Sequence, residues 1–438
     1  PQTSGMERNG EFHPLNEKLQ AAIIEQEAKM SNDALRTLAV AYKKLANTND
    51  AIEENLTFLG FTGMIDPPRE EVKASIAQCQ RAGIHVTMIT GDHPKTAFAI
   101  AKDLGIAHDE DEVMTGQELD ETSDAKIANI VNSLRIFARV SPEHKERIVR
   151  ALRKNGHVVS MTGDGVNDAP SLQEADVGVA MGITGTDVAK GAADIILTDD
   201  NFRTIVAAVE QGRNLYRNIK KSILFLLSCN LGELGALFIG ILLGWPAPLT
   251  AVQILWVNLI TDTLPSIALG VDPDDVDVMK EKPRSSVERL FTNGDVRYSL
   301  FNGLLIGILT LIAFVEGLYA YGGLDSIFSL NLQSVSGEAL IHAQTMAFLT
   351  LVMSQLFHSF NLRNDKKSIF QVGILSNRYL ALAFVVGTLI QVMILYIPFF
   401  NGIFGVTPLG WEEWLFVLGL SIIPIVINEI IKAAKRIF

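Results

Sequence analysis

TGDGVNDAPSL, residues 162–172, sets two carboxylates, Asp164 and Asp168, and the amide of Asn167 in one Gly-rich turn. The apolar run Val158–Met161 that leads into it reads as a strand. Hard carboxylates in such a turn suit Mg²⁺, which keeps several waters and bridges to phosphate. Working outward, strands and helices alternate. Upstream lie strand Arg135–Val140 and helix Pro142–Lys154, then strand Ile84–Ile89 running into Thr90-Gly91-Asp92 and helix Pro94–Leu104, stopped by Gly105. Further back, strand Leu56–Ile65 leads to the turn Asp66–Arg69 and to helix Glu70–Ala82, ended by Gly83. Val177–Ala180 and Ile195–Leu197 read as short strands downstream. This alternation predicts a parallel α/β sheet, whose ligands sit at the carboxyl ends of the strands. The Gly- and Asp-rich turns fall at those ends.

Three turns therefore converge on one expected phosphate site. Thr90, Gly91 and Asp92 offer a hydroxyl and backbone N–H groups at a helix start, where anions bind. Lys145, near the start of its helix, suits neutralisation of a phosphoryl group. A bare Thr-Gly-Asp is commonly a turn plus cap, and an isolated lysine a solvated charge; the run at 162–172 gives both their weight. Residues 1–50 are polar, and Leu35, Leu38, Ala39, Tyr42 and Leu45 fall at helical spacing, which predicts a helix there.

The chain has 438 residues, of which 48% are hydrophobic, and they are unevenly placed. Mixed sequence gives way to long apolar runs after about Ser222, with a boundary near Lys220 and Lys221. Six stretches reach the roughly 20 residues a bilayer span needs: about 222–243, 250–269, 300–319, 343–360, 379–399 and 411–431. Lys280, Lys282, Arg284, Arg289 and Arg297 lie between the second and third, Arg363, Lys366, Lys367 and Arg378 between the fourth and fifth, and Lys432, Lys435 and Arg436 after the last. By the positive-inside rule these connections, the soluble part and the C-terminus are expected to be cytoplasmic. The net charge of −12 argues against nucleic acid as a partner. The two cysteines, Cys79 and Cys229, imply no disulfide framework. The start at Pro1, without an initiator Met, reads as a cut inside a larger protein.

Polar side chains inside spans are costly and mark function by default. Asn230 and Glu233 are i, i+3 on the first span; Asn258, Thr261 and Asp262 share one face of the second. Pro265 is expected to break that second helix and free backbone carbonyls. Two carboxylates with amide and hydroxyl oxygens make a hard-oxygen cage suited to Ca²⁺. Asn230 or Thr261 taken alone would read as interhelical hydrogen bonding; Glu233 and Asp262 beside them favour an ion.

The motif order resembles that of P-type ATPases, a branch of the haloacid-dehalogenase-like phosphotransferases. It runs DPPR at 66–69, MITGDHPKTA at 88–97, VSPEHKERIV at 140–149, TGDGVNDAPSL, and DVAKGAADIILTDDNF at 187–202. The resemblance implies the end of a nucleotide-binding domain over 1–50, a Rossmann-type phosphorylation domain over 51–220, and an all-α bundle of six spans over 221–438. It implies Asp164 and Asp168 as the carboxylates of the Mg²⁺ site and Lys145 and Thr90 as contacts of the aspartyl phosphate. By the same resemblance Asp92 and Asn167 look like part of the surrounding network. Arg36, in ALRTLAVA, resembles the arginine that reaches the phosphates of ATP; an exposed helix arginine is the competing reading. NLGE at 230–233 and WVNLITD at 256–262 resemble helix motifs of Ca²⁺-ATPases of the sarcoplasmic-reticulum type, which places Asn230, Glu233, Asn258, Thr261 and Asp262 on Ca²⁺ ligands. Where that family has a glutamate on its eighth helix this sequence has Gln355, with His358 one turn on, which leaves the number of ions, one or two, open.

The DKTGT motif that carries the family's nucleophile, its KGAP motif and its TGE loop do not occur in this sequence. The expected partners are thus the lipid bilayer, ATP, Ca²⁺ and a missing N-terminal half with the actuator, four further spans and the nucleophile, and the polypeptide alone is expected to be inactive. A bacterial cell membrane is the expected location. The rival readings are a pump for Mn²⁺ or a monovalent ion, or a non-catalytic membrane protein that keeps the fold.

Overall fold

Arg36–Tyr42, expected on a helix, is a strand in the computed structural model, which describes residues 3–32, 35–45, 53–64, 68–273, 278–285, 288–322 and 337–437. Its Thr37, Val40 and Tyr42 favour extended backbone, and Leu38 and Val40 are exposed rather than lining a buried helical stripe. The chain opens with β1 (Thr3–Arg8), β2 (Glu11–Pro14), α1 (Glu17–Asn32), β3 (Arg36–Tyr42) and β4 (Leu56–Met64). These strands form one mixed sheet in the order β2-β1-β4-β3. Antiparallel pairing of β3 with β4 runs from Arg36 opposite Met64 to Tyr42 opposite Thr57. The strand read as the first of the parallel alternation thus belongs to this mixed sheet, which uses residues on both sides of residue 50. Ile65, at the end of the predicted strand, and residues 66–67 of the turn Asp66–Arg69 lie outside the described residues.

The alternating part follows as α2 (Glu70–Arg81), β5 (Met88–Thr90), α3 (Pro94–Leu104), β6 (Val113–Thr115), α4 (Gly116–Glu121), α5 (Asp124–Ile130), β7 (Ile136–Ala138), α6 (Pro142–Lys154), β8 (Ser160–Gly163), α7 (Ala169–Glu174), β9 (Val177–Met181), α8 (Asp187–Ala192) and β10 (Ile195–Leu197). Two three-stranded sheets result, β5-β7-β6 and β10-β9-β8. All their pairs are parallel. Pro94 opens α3, and Gly105 closes it in the left-handed conformation at φ 77°. β6, α4 and α5 went unread in the sequence, because three to seven residues carry too little periodicity. Buried Ile136 and Ala138 of β7 pack with Ile76 of α2 and Ala97 and Ala101 of α3. A second cluster joins Met161, Leu172, Ala180 and Val149, and Ile89 of β5 packs against it. These elements belong to a unit of Pro1–Glu210 with Asp277–Glu288.

The other unit is Gln211–Val276 with Arg289–Phe438. Its helices are the later part of α9 (Phe202–Leu242), α10 (Ala251–Trp256), α11 (Thr263–Gly270), α12 (Asn293–Gly322), α13 (Gly337–Asn361), α14 (Ile369–Val372), α15 (Arg378–Tyr396), α16 (Pro398–Phe404) and α17 (Trp411–Ile437). Six segments of the described residues are long and apolar enough to cross a membrane: Phe202–Leu242, Ala251–Gly270, Asn293–Tyr321, Gly337–Asn361, Arg378–Tyr396 and Trp411–Lys435. The expected boundary at Lys220–Lys221 falls inside the 41-residue α9. α13 is the buried centre, contributing Met346, Phe348, Val352 and Leu356 to the largest core. α9 and α12 approach backbone to backbone: a Cβ on Gly303 would meet Leu231 at 2.6 Å, and one on Gly307 the Gly232 carbonyl at 2.8 Å.

Pro265 does not break the second span. It widens it: Val257–Thr261 form a π-turn between α10 and α11, with the Asp262 N–H donating to the Val257 carbonyl at 2.9 Å. Pro265 has no N–H for the carbonyl four residues back, that of Thr261, and a π-turn is a common answer at a functional site.

Candidate functional site

β8 delivers Gly163 and Asp164 to the carboxyl edge of its sheet, and a short 3₁₀ turn, Val166–Asp168, folds the chain back. Asp168 is buried and accepts three hydrogen bonds. One carboxylate oxygen accepts from Lys145 Nζ at 2.5 Å, and the other from the N–H groups of Asp164 (3.1 Å) and Gly165 (3.0 Å). Burial pushes its carboxyl up, but the Lys145 hydrogen bond and charge with these two N–H groups outweigh that and hold it below the usual carboxylate range. Gly163 is obligatory here, since a Cβ would stand 2.5 Å from the Asp168 Cβ. Asp164 and Asn167 are exposed.

At the end of β5, the Thr90 hydroxyl accepts from the Asp92 N–H at 3.1 Å and donates to the Asp92 carboxylate at 3.1 Å. Gly91 is exposed between them. The Asp92 carbonyl accepts from the Arg139 N–H at 3.1 Å, which ties this turn to the end of β7. Arg36, by contrast, opens β3 in the mixed sheet. Sequence reasoning missed Asp200, whose carboxylate organises the loop after β9; its partners lie 16 to 18 residues upstream, and the only sequence signal was an Asp-Asp-Asn run before a helix.

The second constellation lies wholly in the helical unit. Glu233 is buried on α9 and accepts on one oxygen from Asn258 Nδ2 (2.8 Å) and on the other from Gln355 Nε2 (3.0 Å) of α13. Asp262 is wholly buried. Among the described residues neither of its oxygens has a hydrogen bond of ordinary geometry; the Cys229 thiol, a weak donor, and the Glu233 carboxylate are its neighbours. Thr261 is buried beside it in the chain, and the Gln355 Oε1 atom also lacks a hydrogen-bond partner among the described residues. Asn230 is exposed, with its amide donating to the Leu226 carbonyl at 2.9 Å. His358 is buried one turn beyond Gln355, stacked on Tyr298 with ring centres 6.1 Å apart, and makes no contact with Glu233 among those described. An unpartnered carboxylate in a membrane helix is costly unless a cation completes it.

Residues 246–434 match the family described as cation transporting ATPase, C-terminus, and residues 8–176 match the haloacid dehalogenase-like hydrolases. Over its whole length the chain is 59% identical to calcium-transporting ATPase 1 of Bacillus cereus, covering 49% of that protein. The chain is homologous to the calcium-transporting P-type ATPases. With the calcium-transporting ATPase of Bacillus subtilis, identity is 44% over 90% of the chain and 43% of the relative. With calcium-transporting ATPase 1 of Saccharomyces cerevisiae it is 38% over 96% of the chain and 44% of the relative. The chain thus spans about half the length of the curated ATPases it matches.

Proposed function

We propose that this chain is part of an ATP-driven Ca²⁺ pump that exports Ca²⁺ from the cytoplasm through an aspartyl phosphate, and that it holds the phosphate turns and six spans of that pump. The observation that carries this reading is Asp262, buried without a hydrogen bond beside a Glu233 already oriented by Asn258 and Gln355. The set is all oxygen-donor chemistry and carries two carboxylates, as a transported divalent cation requires. Asn230 and Thr261 are proposed to complete it.

For Mg²⁺, the fit favours Asp164 alone as the ligand from this chain, because both Asp168 oxygens are taken while the Asp164 carboxylate is exposed at the turn's mouth. Bound there, Mg²⁺ would neutralise phosphoryl charge. Asp168 holds Lys145 and the turn in place, and Lys145 and Thr90 bind phosphoryl oxygens. The rest of the pump is proposed to supply the nucleophile. β5 and β8 are both sheet-edge strands ending in phosphate turns, and Ile89 of β5 shares a core with Met161 of β8; a strand from the remaining half pairing with both would complete a continuous sheet. Residues 1–50 are assigned to the ATP-binding part with Arg36 at its phosphates, together with β4, which completes their sheet; the rest up to 220 is assigned to the phosphorylation domain and 221–438 to the membrane. The basic connections, the soluble unit and the C-terminus face the cytoplasm of a bacterial cell.

The test is phosphoenzyme formation by the intact pump as a function of Mg²⁺. Asp164→Asn keeps the side chain's size and removes its charge, so phosphorylation should fall and its Mg²⁺ requirement rise together. Phosphoenzyme at an unchanged Mg²⁺ requirement would remove Asp164 from the role. The chain by itself should not turn over ATP.

A further inference from the structure

Asp200 stands between β10 and α9, two residues before the helix begins. Its carboxylate accepts four hydrogen bonds from one loop. Oδ1 receives the N–H groups of Gly182 (2.6 Å) and Ile183 (3.0 Å), and Oδ2 the N–H (2.8 Å) and hydroxyl (2.9 Å) of Thr184. The N–H of Ile183, with those of Thr184 and Gly182, brings its carboxyl down to about 2 against the opposing effect of burial, so the grip is ionised at any working pH. Its backbone sits at φ 46°, a left-handed conformation that a residue other than glycine keeps only where its surroundings hold it. Arg69 of the DPPR motif adds to that hold, donating to the Asp200 carbonyl at 3.2 Å.

The gripped loop has little freedom. A Cβ on Gly182 would lie 2.4 Å from the Leu197 carbonyl, and one on Gly185 2.0 Å from that of Met181. One residue beyond Gly185, the Thr186 N–H donates to the Asp164 carbonyl at 2.8 Å. The Thr186 hydroxyl meanwhile caps α8, accepting from the Ala189 N–H at 3.3 Å. Asp200 therefore holds residues 182–184 by hydrogen bonds, and the chain through Gly185 carries that hold to Thr186, whose N–H bonds the main chain of Asp164. That main chain lies between Gly163 and Gly165, and a carboxylate on so free a backbone needs support from outside the turn.

We infer that Asp200 is a positioning residue for the metal-binding carboxylate: it fixes loop 182–186 so that Thr186 holds Asp164 in the orientation that receives a divalent cation. The inference rests on the proposed role of Asp164 and adds a residue that touches neither metal nor phosphate.

The experiment is Mn²⁺ binding by the full-length protein, followed by electron paramagnetic resonance, with hydrogen exchange on the same samples. Asp164→Ala should abolish one Mn²⁺ site. Asp200→Ala should weaken that same site by about tenfold, in the range that loss of a ligand's supporting partner produces. Exchange should rise at the Thr186 amide and stay protected at the Asp164 and Gly165 amides, which bond to Asp168. Asp200→Asn keeps one acceptor oxygen and points a donor at Thr184, so it should fall between. If Asp164→Ala binds like the wild type, the role of Asp164 fails and the inference with it. If Asp164→Ala loses the site while Asp200→Ala keeps wild-type affinity, even at lower thermal stability, Asp200 is merely structural and the inference is overturned. Should Asp200→Ala not fold, Asp200→Asn and Thr184→Val carry the same comparison.

Discussion

Asp168 shows how one buried side chain can hold a turn together, its carboxylate taking Lys145 and the N–H groups of Asp164 and Gly165. Its folded carboxyl is held below the ordinary value of about 3.9. A group depressed on folding contributes stability above its unfolded value and loses it as pH falls through the folded one. Lys145→Met removes the partner that overcomes burial, so the Asp168 carboxyl should rise and acid unfolding of this unit begin at higher pH. At neutral pH the cost should be on the order of 2–3 kcal/mol, that of losing a hydrogen bond to a charged group that keeps its other two donors. Near-UV circular dichroism against pH measures both; an unchanged acid midpoint would mean that the two N–H groups alone hold Asp168. The positions of Asp164, Lys145 and Thr90 at a strand end or in a first helical turn were legible in the sequence because the turn and helix signals around them are local. Asp200 was not, since its role exists only once the loop after β9 is folded against it.

At the scale of elements, apolar pattern settled the long helices and misled on short or two-sided segments. Six spans were readable because some twenty apolar residues have few other fates. Arg36–Tyr42 was misread because its apolar residues satisfy helical spacing as well as a strand, and pairing with β4 decided between them. The π-turn at Val257–Thr261 was half legible: Pro265 announced an irregularity, and only packing determined that the helix would widen instead of stopping. Pro265→Ala restores an N–H for the Thr261 carbonyl and should favour an ordinary α-turn. Closing the extra residue turns the helix by about 100° there, taking Asn258 out of register with Asp262. The Asn258–Glu233 hydrogen bond would go with it. Equilibrium binding of radioactive Ca²⁺ to the intact pump should show at least a tenfold loss of affinity with the fold retained. Wild-type affinity would show that the π-turn does not shape the cage.

For the whole molecule the question is whether the buried cage governs the phosphate turn, and Asp262→Asn answers it. Asp262 is the carboxylate of the second span, wholly buried and without a hydrogen bond. Asparagine fills the same space and forfeits the charge that draws a divalent cation. The turn at 162–172 shares no residue with the proposed cage, so any effect of this change on phosphorylation must travel through conformation, as a coupling free energy between two sites. Phosphorylation of the intact pump from ATP should therefore lose its activation by Ca²⁺. If the proposed phosphate site acts without the cage, phosphorylation from inorganic phosphate should survive and no longer be suppressed by Ca²⁺. Measuring phosphoenzyme from each donor, with and without Ca²⁺, separates the possibilities. Ca²⁺ activation at wild-type concentrations would place the transported ion elsewhere. Loss of phosphorylation from both donors would mean that the side chain supports the fold of the phosphorylated state rather than the ion. The expected pattern, one donor lost and the other released from Ca²⁺ control, arises only if Asp262 reports ion occupancy to the turn around Asp164.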